Sequence, residues 1–238
     1  MALFRHAEFE ISVAQPDQLP FSAAPEVAFA GRSNAGKSSA INTLVDHTRL
    51  AFVSKTPGRT QLINLFRLRN GAALVDLPGY GYADVPESVR RQWQGLLERY
   101  LTQRPNLVGL VLIMDARRPF TDLDRQLVKW FATTGRPIHC LLTKADKLTR
   151  SEQAKALKAA KDAAATMLGA ISLQLFSSLK KTGVEAAEQV IGPWLAADDP
   201  ERKTPDQRGE GRGSNALIEV KAPAQGGEAG DGSAPSVG

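Results

Sequence analysis

The 238-residue chain is poor in the side chains that build metal and disulfide sites. Cys140 is its only cysteine, which excludes an intrachain disulfide and a cysteine-based zinc site. The three histidines lie far apart in sequence and match no metal-ligand spacing. A disulfide-stapled scaffold and a small zinc module are therefore excluded.

Long apolar runs are also missing. The longest run, residues 107–114, has the length of a strand, whereas a membrane span needs about 20 apolar residues. The first 15 residues do not contain a charged segment followed by an apolar one, so they do not match a secretory signal. We expect a cytoplasmic protein with no membrane partner.

The last part of the chain differs in composition from the rest. Residues 198–238 contain 8 glycines and 4 prolines but no aromatic residue. Because such a segment buries too little apolar surface to offset chain entropy, we expect a disordered tail. The tail has 5 basic and 8 acidic residues, whereas residues 1–197 have 25 basic and 17 acidic residues. The net charge of +5 therefore divides into +8 for the body and −3 for the tail.

Short apolar runs alternate with longer amphipathic runs through residues 23–197. Strands are predicted at residues 27–30, 62–68, 72–76, 107–115, 138–143 and 173–176. Helices are predicted at residues 37–45, 88–103, 122–133, 151–168 and 184–195. We interpret Ser151 as the start of the fourth helix and Gly169 as its stop. This alternation predicts an α/β fold with a mostly parallel central sheet covered by helices on both faces.

The first 22 residues are interpreted as an N-terminal approach to this domain. Residues 8–13 alternate between polar and apolar side chains. They are either an added edge strand or part of the approach.

Residues 31–38, GRSNAGKS, fit the pattern G-x-x-x-x-G-K-[ST] and lie between a predicted strand and a predicted helix. Small residues let backbone N–H groups wrap an anion, and the helix N-terminus adds partial positive charge. Lys37 would reach the outer phosphates of a nucleotide, and the Ser38 hydroxyl would take one Mg²⁺ position. The alternative is a chance glycine-rich turn, but the strand–helix setting favours nucleotide binding.

Two further motifs each follow a predicted strand. In the D-L-P-G sequence at 76–79, Asp76 can hold Mg²⁺ through water and the Gly79 N–H can contact a γ-phosphate. In T-K-A-D at 143–146, Asp146 can accept two hydrogen bonds from guanine, and adenine lacks that donor pair. Taken singly, a β-turn and a helix-capping aspartate explain these motifs. Their order, with each motif at a strand end, favours a guanine-nucleotide site over an ATPase or small-molecule kinase.

Five strings together give the chain a specific resemblance. They are GRSNAGKSS at 31–39, TPGRTQ at 56–61, DLPGYGYA at 76–83, TKADKL at 143–148 and FSS at 176–178. Over about residues 7–196 the chain resembles the EngB (YihA-like) bacterial GTPases. The resemblance implies a P-loop GTPase (G domain) at 23–197 that binds GTP or GDP with Mg²⁺. We expect the protein to be a monomer.

The resemblance also implies a biological process and a partner. The process is assembly of the large ribosomal subunit, and the family's role was described historically as one in cell division and septation. The partner is a precursor of that subunit with its RNA. The +8 body suits phosphate contacts. The alternative is a GTP-dependent septum or cytoskeleton-linked interaction protein without a ribosomal role.

The matching motifs imply a set of site residues. Residues 58–62 would form the first switch, residues 76–79 the second, and residues 176–178 would back the base. Ser38 and Thr60 would be the metal ligands, and Lys37, Thr60 and Gly79 the catalytic residues. The nucleotide-binding set is Gly31, Arg32, Ser33, Asn34, Ala35, Gly36, Lys37, Ser38, Gly58, Arg59, Thr60, Gln61, Leu62, Asp76, Leu77, Pro78, Gly79, Thr143, Lys144, Ala145, Asp146, Phe176, Ser177 and Ser178.

Three positions depart from GTPases at large or leave alternatives open. Thr143 replaces the common asparagine of the guanine motif, which weakens one tether but leaves the Asp146 contact. Tyr80 stands where many small GTPases have a water-orienting glutamine, so we expect slow hydrolysis that a partner completes. Asn34 is either a turn residue, the preferred interpretation, or a helper that holds K⁺.

Four arginines lie close together after the second switch. Arg90, Arg91, Arg99 and Arg104 either form a solvated face or contact ribosomal RNA. The sequence alone does not choose between these interpretations.

Overall fold

A computed structural model describes residues 3–51, 62–81 and 87–196. Within these ranges the chain forms seven strands and five helices. The strands are β1 (Glu8–Val13), β2 (Glu26–Gly31), β3 (Ile63–Arg67), β4 (Ala73–Asp76), β5 (Leu107–Asp115), β6 (Ile138–Thr143) and β7 (Ile171–Leu175). The helices are α1 (Lys37–Leu44), α2 (Glu87–Gln103), α3 (Asp122–Ala132), α4 (Arg150–Ala165) and α5 (Val184–Leu195).

All seven described strands belong to one sheet, in the order β1-β3-β4-β2-β5-β6-β7. Strands β4, β2, β5, β6 and β7 run parallel to one another. Strand β3 is antiparallel to β4, and β1 is antiparallel to β3 at the edge of the sheet. The mostly parallel sheet is confirmed, and residues 8–13 are an added edge strand.

Alternate side chains of the strands enter two separate cores. In β2, Ala28 and Ala30 face a core shared with α2, α3 and α4, whereas Val27 and Phe29 face one shared with α1 and α5. Burial on both faces explains why the strands are almost continuously apolar. The chain is therefore a three-layer α/β structure, as the sequence predicts.

The predicted start and end of α4 are wrong. The cap is Thr149, whose hydroxyl accepts a hydrogen bond from the Glu152 N–H, while the Glu152 carboxylate accepts one from the Thr149 N–H. A capping box joins residues three apart, so Ser151 is too close to Glu152 to serve. The helix ends at Ala165, before Gly169.

Strand β7 begins two residues earlier than predicted, at Ile171. Its polar residues Ser172 and Gln174 break the apolar pattern by which a buried strand is recognised in a sequence. Both side chains contact the buried His139 ring of β6, at 2.8 and 3.1 Å. The polar positions thus satisfy a polar partner within the sheet.

Arg104 does not belong to a solvated arginine face. Its guanidinium donates to both carboxylate oxygens of the fully buried Glu26, at 2.9 and 2.7 Å. The Tyr100 hydroxyl donates to the same carboxylate at 3.2 Å. This ion pair fixes the end of α2 to the start of β2, whereas Arg99 remains half-exposed. The Arg90 side chain lies outside the described part of the chain.

No helix within the described ranges is long and apolar enough to cross a membrane.

Candidate nucleotide site

The loop between β2 and α1 lies at the edge of the sheet where the parallel strands end. A Cβ atom on Gly31 would lie 2.7 Å from the Ile113 carbonyl oxygen of β5, so only glycine fits this close approach. Gly36, which precedes the first residue of α1, has φ of +99°, a conformation that glycine adopts readily. The loop therefore leads directly into the N-terminus of α1, where the first backbone N–H groups have no partner within the helix.

Lys37, the first residue of α1, forms an ion pair with Asp76, the last residue of β4. The two side chains are only 12% and 6% exposed. The Asn64 amide of β3 also donates to Asp76, across 3.4 Å. The cation of the first motif and the carboxylate of the second therefore meet, although 39 residues separate them.

Residues 79 and 80 pack against the phosphate loop through their backbone. The Ser33 N–H donates to the Tyr80 carbonyl at 2.7 Å, and the Tyr80 N–H donates to the Gly31 carbonyl at 3.4 Å. A Cβ atom on Gly79 would lie 3.7 Å from the Ser33 nitrogen. The Tyr80 phenol donates instead to Asp124 of α3, at 2.6 Å in the buried core. Tyr80 thus contacts the phosphate loop through its backbone, while its side chain points into the core.

The motif that follows β6 holds the phosphate loop from the other side. The Thr143 hydroxyl contacts the carbonyl oxygens of Ala35 and of Met114, the latter at 3.0 Å. The Lys144 ammonium donates to the Asn34 carbonyl at 2.6 Å. Thr143 therefore keeps the loop attached to β6, although it lacks the amide group of asparagine.

Asp146 is oriented by the loop that follows β7. The Ser177 hydroxyl donates to Asp146 Oδ1 at 2.6 Å and accepts from the Lys180 N–H at 3.1 Å. The Ala145 N–H donates to the Phe176 carbonyl at 3.2 Å. The Phe176 side chain is fully buried in the core shared with α1 and α5, so only its backbone is available to a ligand. Two predicted motifs, 31 residues apart, therefore lie side by side.

Comparison with known proteins agrees with this geometry. Residues 26–144 match the family model described as 50S ribosome-binding GTPase. The probable GTP-binding protein EngB of Aromatoleum aromaticum is 63% identical over 210 residues, which cover 87% of this chain and 97% of that protein. The chain belongs to the EngB family of GTP-binding proteins. It is therefore a GTPase that binds GTP and GDP.

Another member of the family supports the same assignment, and two more distant structures share the fold. The probable EngB of Neisseria meningitidis serogroup B is 54% identical, with 87% of this chain and all of that protein covered. A crystal structure of a probable engB protein has a TM-score of 0.56 at 20% identity and covers 71% of this chain and 98% of its own. Era in complex with MgGDPNP and a 16S ribosomal RNA segment has a TM-score of 0.55 at 17% identity, covering 78% of this chain and 60% of its own. At these identities the two structures show the shared fold alone.

Asp115 lies beside Lys144 of the candidate site and is not part of the sequence motifs. It ends β5, its carboxylate accepts two hydrogen bonds from Arg117 at 2.9 and 2.6 Å, and it pairs with Lys144 at 3.0 Å. The Arg117 hydrogen bonds, with Lys144 beside them, hold the pKa of this carboxyl well below its usual range. Asp115 therefore fixes Lys144 across the phosphate loop. Its position at the end of a parallel strand, where ligands bind in α/β sheets, was the sequence signal that could have identified it.

Of the two predicted Mg²⁺ ligands, Ser38 lies within the described residues and Thr60 lies outside them. Ser38 in the first turn of α1 and Asp76 at the end of β4 supply hydroxyl and carboxylate oxygens, the ligands Mg²⁺ prefers. Across the described ranges, no group of three or more His, Cys, Asp or Glu side chains forms a candidate metal cluster. A nucleotide-bound Mg²⁺ needs few protein ligands because phosphates and waters complete its shell, so the donors present fit this ion.

Part of the predicted site lies outside the described residues. These positions are Gly58, Arg59, Thr60 and Gln61 of the first switch, and the tail lies outside as well. Leu62 is described and immediately precedes β3. Asn34 has φ of +62°, a backbone conformation that asparagine tolerates in turns.

Proposed function

We propose that this EngB-family GTPase is a Mg²⁺-dependent switch that hydrolyses GTP slowly and acts in assembly of the large ribosomal subunit. In this proposal it works in the cytoplasm as a monomer, and normal cell division and septation depend on it. The observation that carries the nucleotide part is the Ser177–Asp146 hydrogen bond. It orients the Asp146 carboxylate at the same edge of the sheet as the phosphate loop. The ribosomal part is supported by the match to the 50S ribosome-binding GTPase model.

The phosphates of the nucleotide would lie on residues 31–38. Backbone N–H groups at the start of α1 would donate to them, and Lys37 would exchange its Asp76 partner for phosphate oxygens. Ser38 and Thr60 would hold Mg²⁺, with Asp76 bound through water, and the ion would supply positive charge to the phosphate oxygens. Because Lys37 pairs with either Asp76 or phosphate, nucleotide binding would free the Asp76 carboxylate.

Guanine would be recognised by the carboxylate of Asp146. Its Oδ1 already accepts from Ser177, and further lone pairs can accept the guanine N1–H and amine. The Lys144 stem and the backbone of residues 176–178 would lie beside the base. Adenine presents no matching donor pair, so the site would reject ATP.

Slow intrinsic hydrolysis follows from the direction of Tyr80. Its phenol is bonded to Asp124 in the core, and so it does not orient a water at the phosphate. Single-turnover hydrolysis without any partner tests this proposal, and an efficient intrinsic rate would contradict it.

A K⁺ ion held at Asn34 is a further proposal, in which the ion would add positive charge near the phosphates during hydrolysis. The turn geometry of Asn34 accounts for this residue without an ion, so we keep the turn interpretation as the preferred one. Equal hydrolysis rates in K⁺ and Na⁺ would remove the K⁺ proposal.

The ribosomal partner can be tested by co-sedimentation with large-subunit particles. The +8 charge of residues 1–197 supports contact with RNA phosphates, so binding should weaken as salt rises. We expect more protein to pellet with a GTP analogue than with GDP. Failure to pellet in either nucleotide state would overturn the ribosomal role and favour the septum or cytoskeleton alternative.

A further inference from the structure

A buried carboxylate lies next to the second switch and is used by none of the nucleotide contacts above. Asp124, the third residue of α3, is 2% exposed. Its Oδ2 accepts from the N–H and the hydroxyl of Thr121, at 2.8 and 2.7 Å, as part of the α3 capping box. Its Oδ1 accepts from the Tyr80 phenol at 2.6 Å, across 44 residues of sequence. One carboxylate therefore joins the start of α3 to the residue that follows Gly79.

Tyr80 is held by its backbone as well as by its side chain. Its N–H and carbonyl both pair with the phosphate loop, and it forms a parallel bridge with Arg32. The next residue, Gly81, has φ of +74°, so the chain turns away immediately after Tyr80. At one end of the segment from Asp76 to Tyr80, Asp76 pairs with Lys37, a contact that a bound nucleotide would break; at the other end, Tyr80 pairs with Asp124.

The bond between Tyr80 and Asp124 is of a strong kind. A hydroxyl that donates to an ionised carboxylate at this distance makes a charge-assisted hydrogen bond. Burial, followed by the neighbouring Asp124 charge, raises the pKa of Tyr80 well above its usual value, so the phenol remains a donor. Loss of the phenol oxygen would leave one buried oxygen of Asp124 without its partner.

We propose that the Tyr80–Asp124 pair is a latch that positions the Gly79 N–H for the γ-phosphate. Tyr80 is then a positioning residue of the second switch, and it acts through the peptide that precedes it. This inference rests on the proposed role of Gly79 as a γ-phosphate contact. GDP has no γ-phosphate, so the latch contributes to binding of GTP but not of GDP.

The test compares two buried tyrosines that each donate to a buried carboxylate. Tyr80→Phe removes the latch, whereas Tyr100→Phe removes the hydroxyl bonded to Glu26 at the start of β2, at the opposite end of that strand from the phosphate loop. Dissociation constants are measured for GDP and for a non-hydrolysable GTP analogue with the full-length chain. For Tyr80→Phe we expect about tenfold weaker binding of the analogue with GDP affinity unchanged. For Tyr100→Phe we expect the wild-type ratio of the two affinities.

A second variant keeps the test decisive if Tyr80→Phe does not fold. Asp124→Asn retains the shape of the side chain. Its carbonyl oxygen must accept from the Thr121 N–H, so a neutral amide N–H₂ faces the Tyr80 oxygen in place of the charged acceptor, and the same selective loss should appear at a smaller size. A wild-type ratio of affinities in folded Tyr80→Phe or Asp124→Asn would overturn the latch, and so would an equal loss for both nucleotides. If the wild-type chain itself binds no GTP analogue, the proposed function fails, which is a separate result.

Discussion

Replacement of Asp146 by asparagine would test how the site chooses its base. In the structure Asp146 Oδ1 accepts a hydrogen bond from the Ser177 hydroxyl at 2.6 Å. An asparagine can keep that bond only with its carbonyl oxygen, so its amide nitrogen must occupy the other carboxylate position. Ser177 therefore sets the orientation of the new side chain, with an N–H₂ group towards the base.

The size of the effect follows from the hydrogen bonds that are lost. Guanine offers two donors, and a hydrogen bond to a charged acceptor contributes about 1.5–3 kcal/mol. Loss of both corresponds to about 3–6 kcal/mol, or roughly a hundredfold to ten-thousandfold weaker GDP binding. Xanthine carries a carbonyl oxygen in place of the guanine amine, so the asparagine N–H₂ can donate to it. We expect Asp146→Asn to prefer xanthine nucleotides.

Displacement of a fluorescent nucleotide, titrated with GDP and with xanthosine diphosphate, measures both affinities. The matched control is Asp162→Asn, because Asp162 is an exposed aspartate of α4 that pairs with Lys158 at 2.8 Å. That variant should bind both nucleotides as the wild-type protein does.

Two results would refute the reasoning. Unchanged GDP affinity in Asp146→Asn would exclude a base contact by this carboxylate. An equal loss for guanine and xanthine nucleotides would mean that the substitution damages the loop and that Asp146 does not read the base.

Three further predictions concern stability and domain boundaries. Burial lowers the pKa of His139 from 6.5 to about 4. As pH falls, the unfolded chain therefore binds this proton at a higher pH than the folded chain. The free energy of unfolding should fall by about 3 kcal/mol between about pH 6.5 and 4. In urea unfolding, His139→Gln should show a smaller loss over this window. Arg104→Met removes the cationic partner of the buried Glu26 carboxylate and should cost about 3 kcal/mol or more in urea unfolding. Arg99→Met, at a half-exposed position, should cost less than about 1 kcal/mol. Deletion of residues 198–238 should leave GTP affinity in the same displacement assay unchanged, and a large loss would place the tail within the nucleotide domain.

Much of the fold could be predicted because it depends on neighbouring residues. The predicted bounds of β5, β6 and α5 agree with the structure, since each is a mostly apolar or amphipathic run with clear ends. The predicted start of β7 was two residues late, because the polar Ser172 near its start contacts His139 of β6. A pattern based on hydrophobicity cannot recognise a polar residue whose partner is another strand.

In the site, too, features set by neighbouring residues could be predicted and features set by distant partners could not. The motifs at 31–38, 76–79 and 143–146 were found because each needs a fixed spacing and a strand end. Asp115 was missed because its role depends on Arg117 and Lys144 together. Phe176 was assigned to the base, but its side chain is in the core and only its backbone faces the loop.

The sequence by itself determined the nucleotide motifs and the mostly parallel sheet, because local spacing and periodicity encode them, and its motif strings carried the resemblance to the family. Only the tertiary structure decided where single side chains point. Arg104, which the sequence left open between a solvated face and an RNA contact, pairs with Glu26. Tyr80, which stands where many GTPases have glutamine, donates to Asp124. Both outcomes depend on a buried carboxylate more than 40 residues away, which an adjacent sequence pattern does not reveal. A buried charge requires a partner, and the fold determines which residue supplies it.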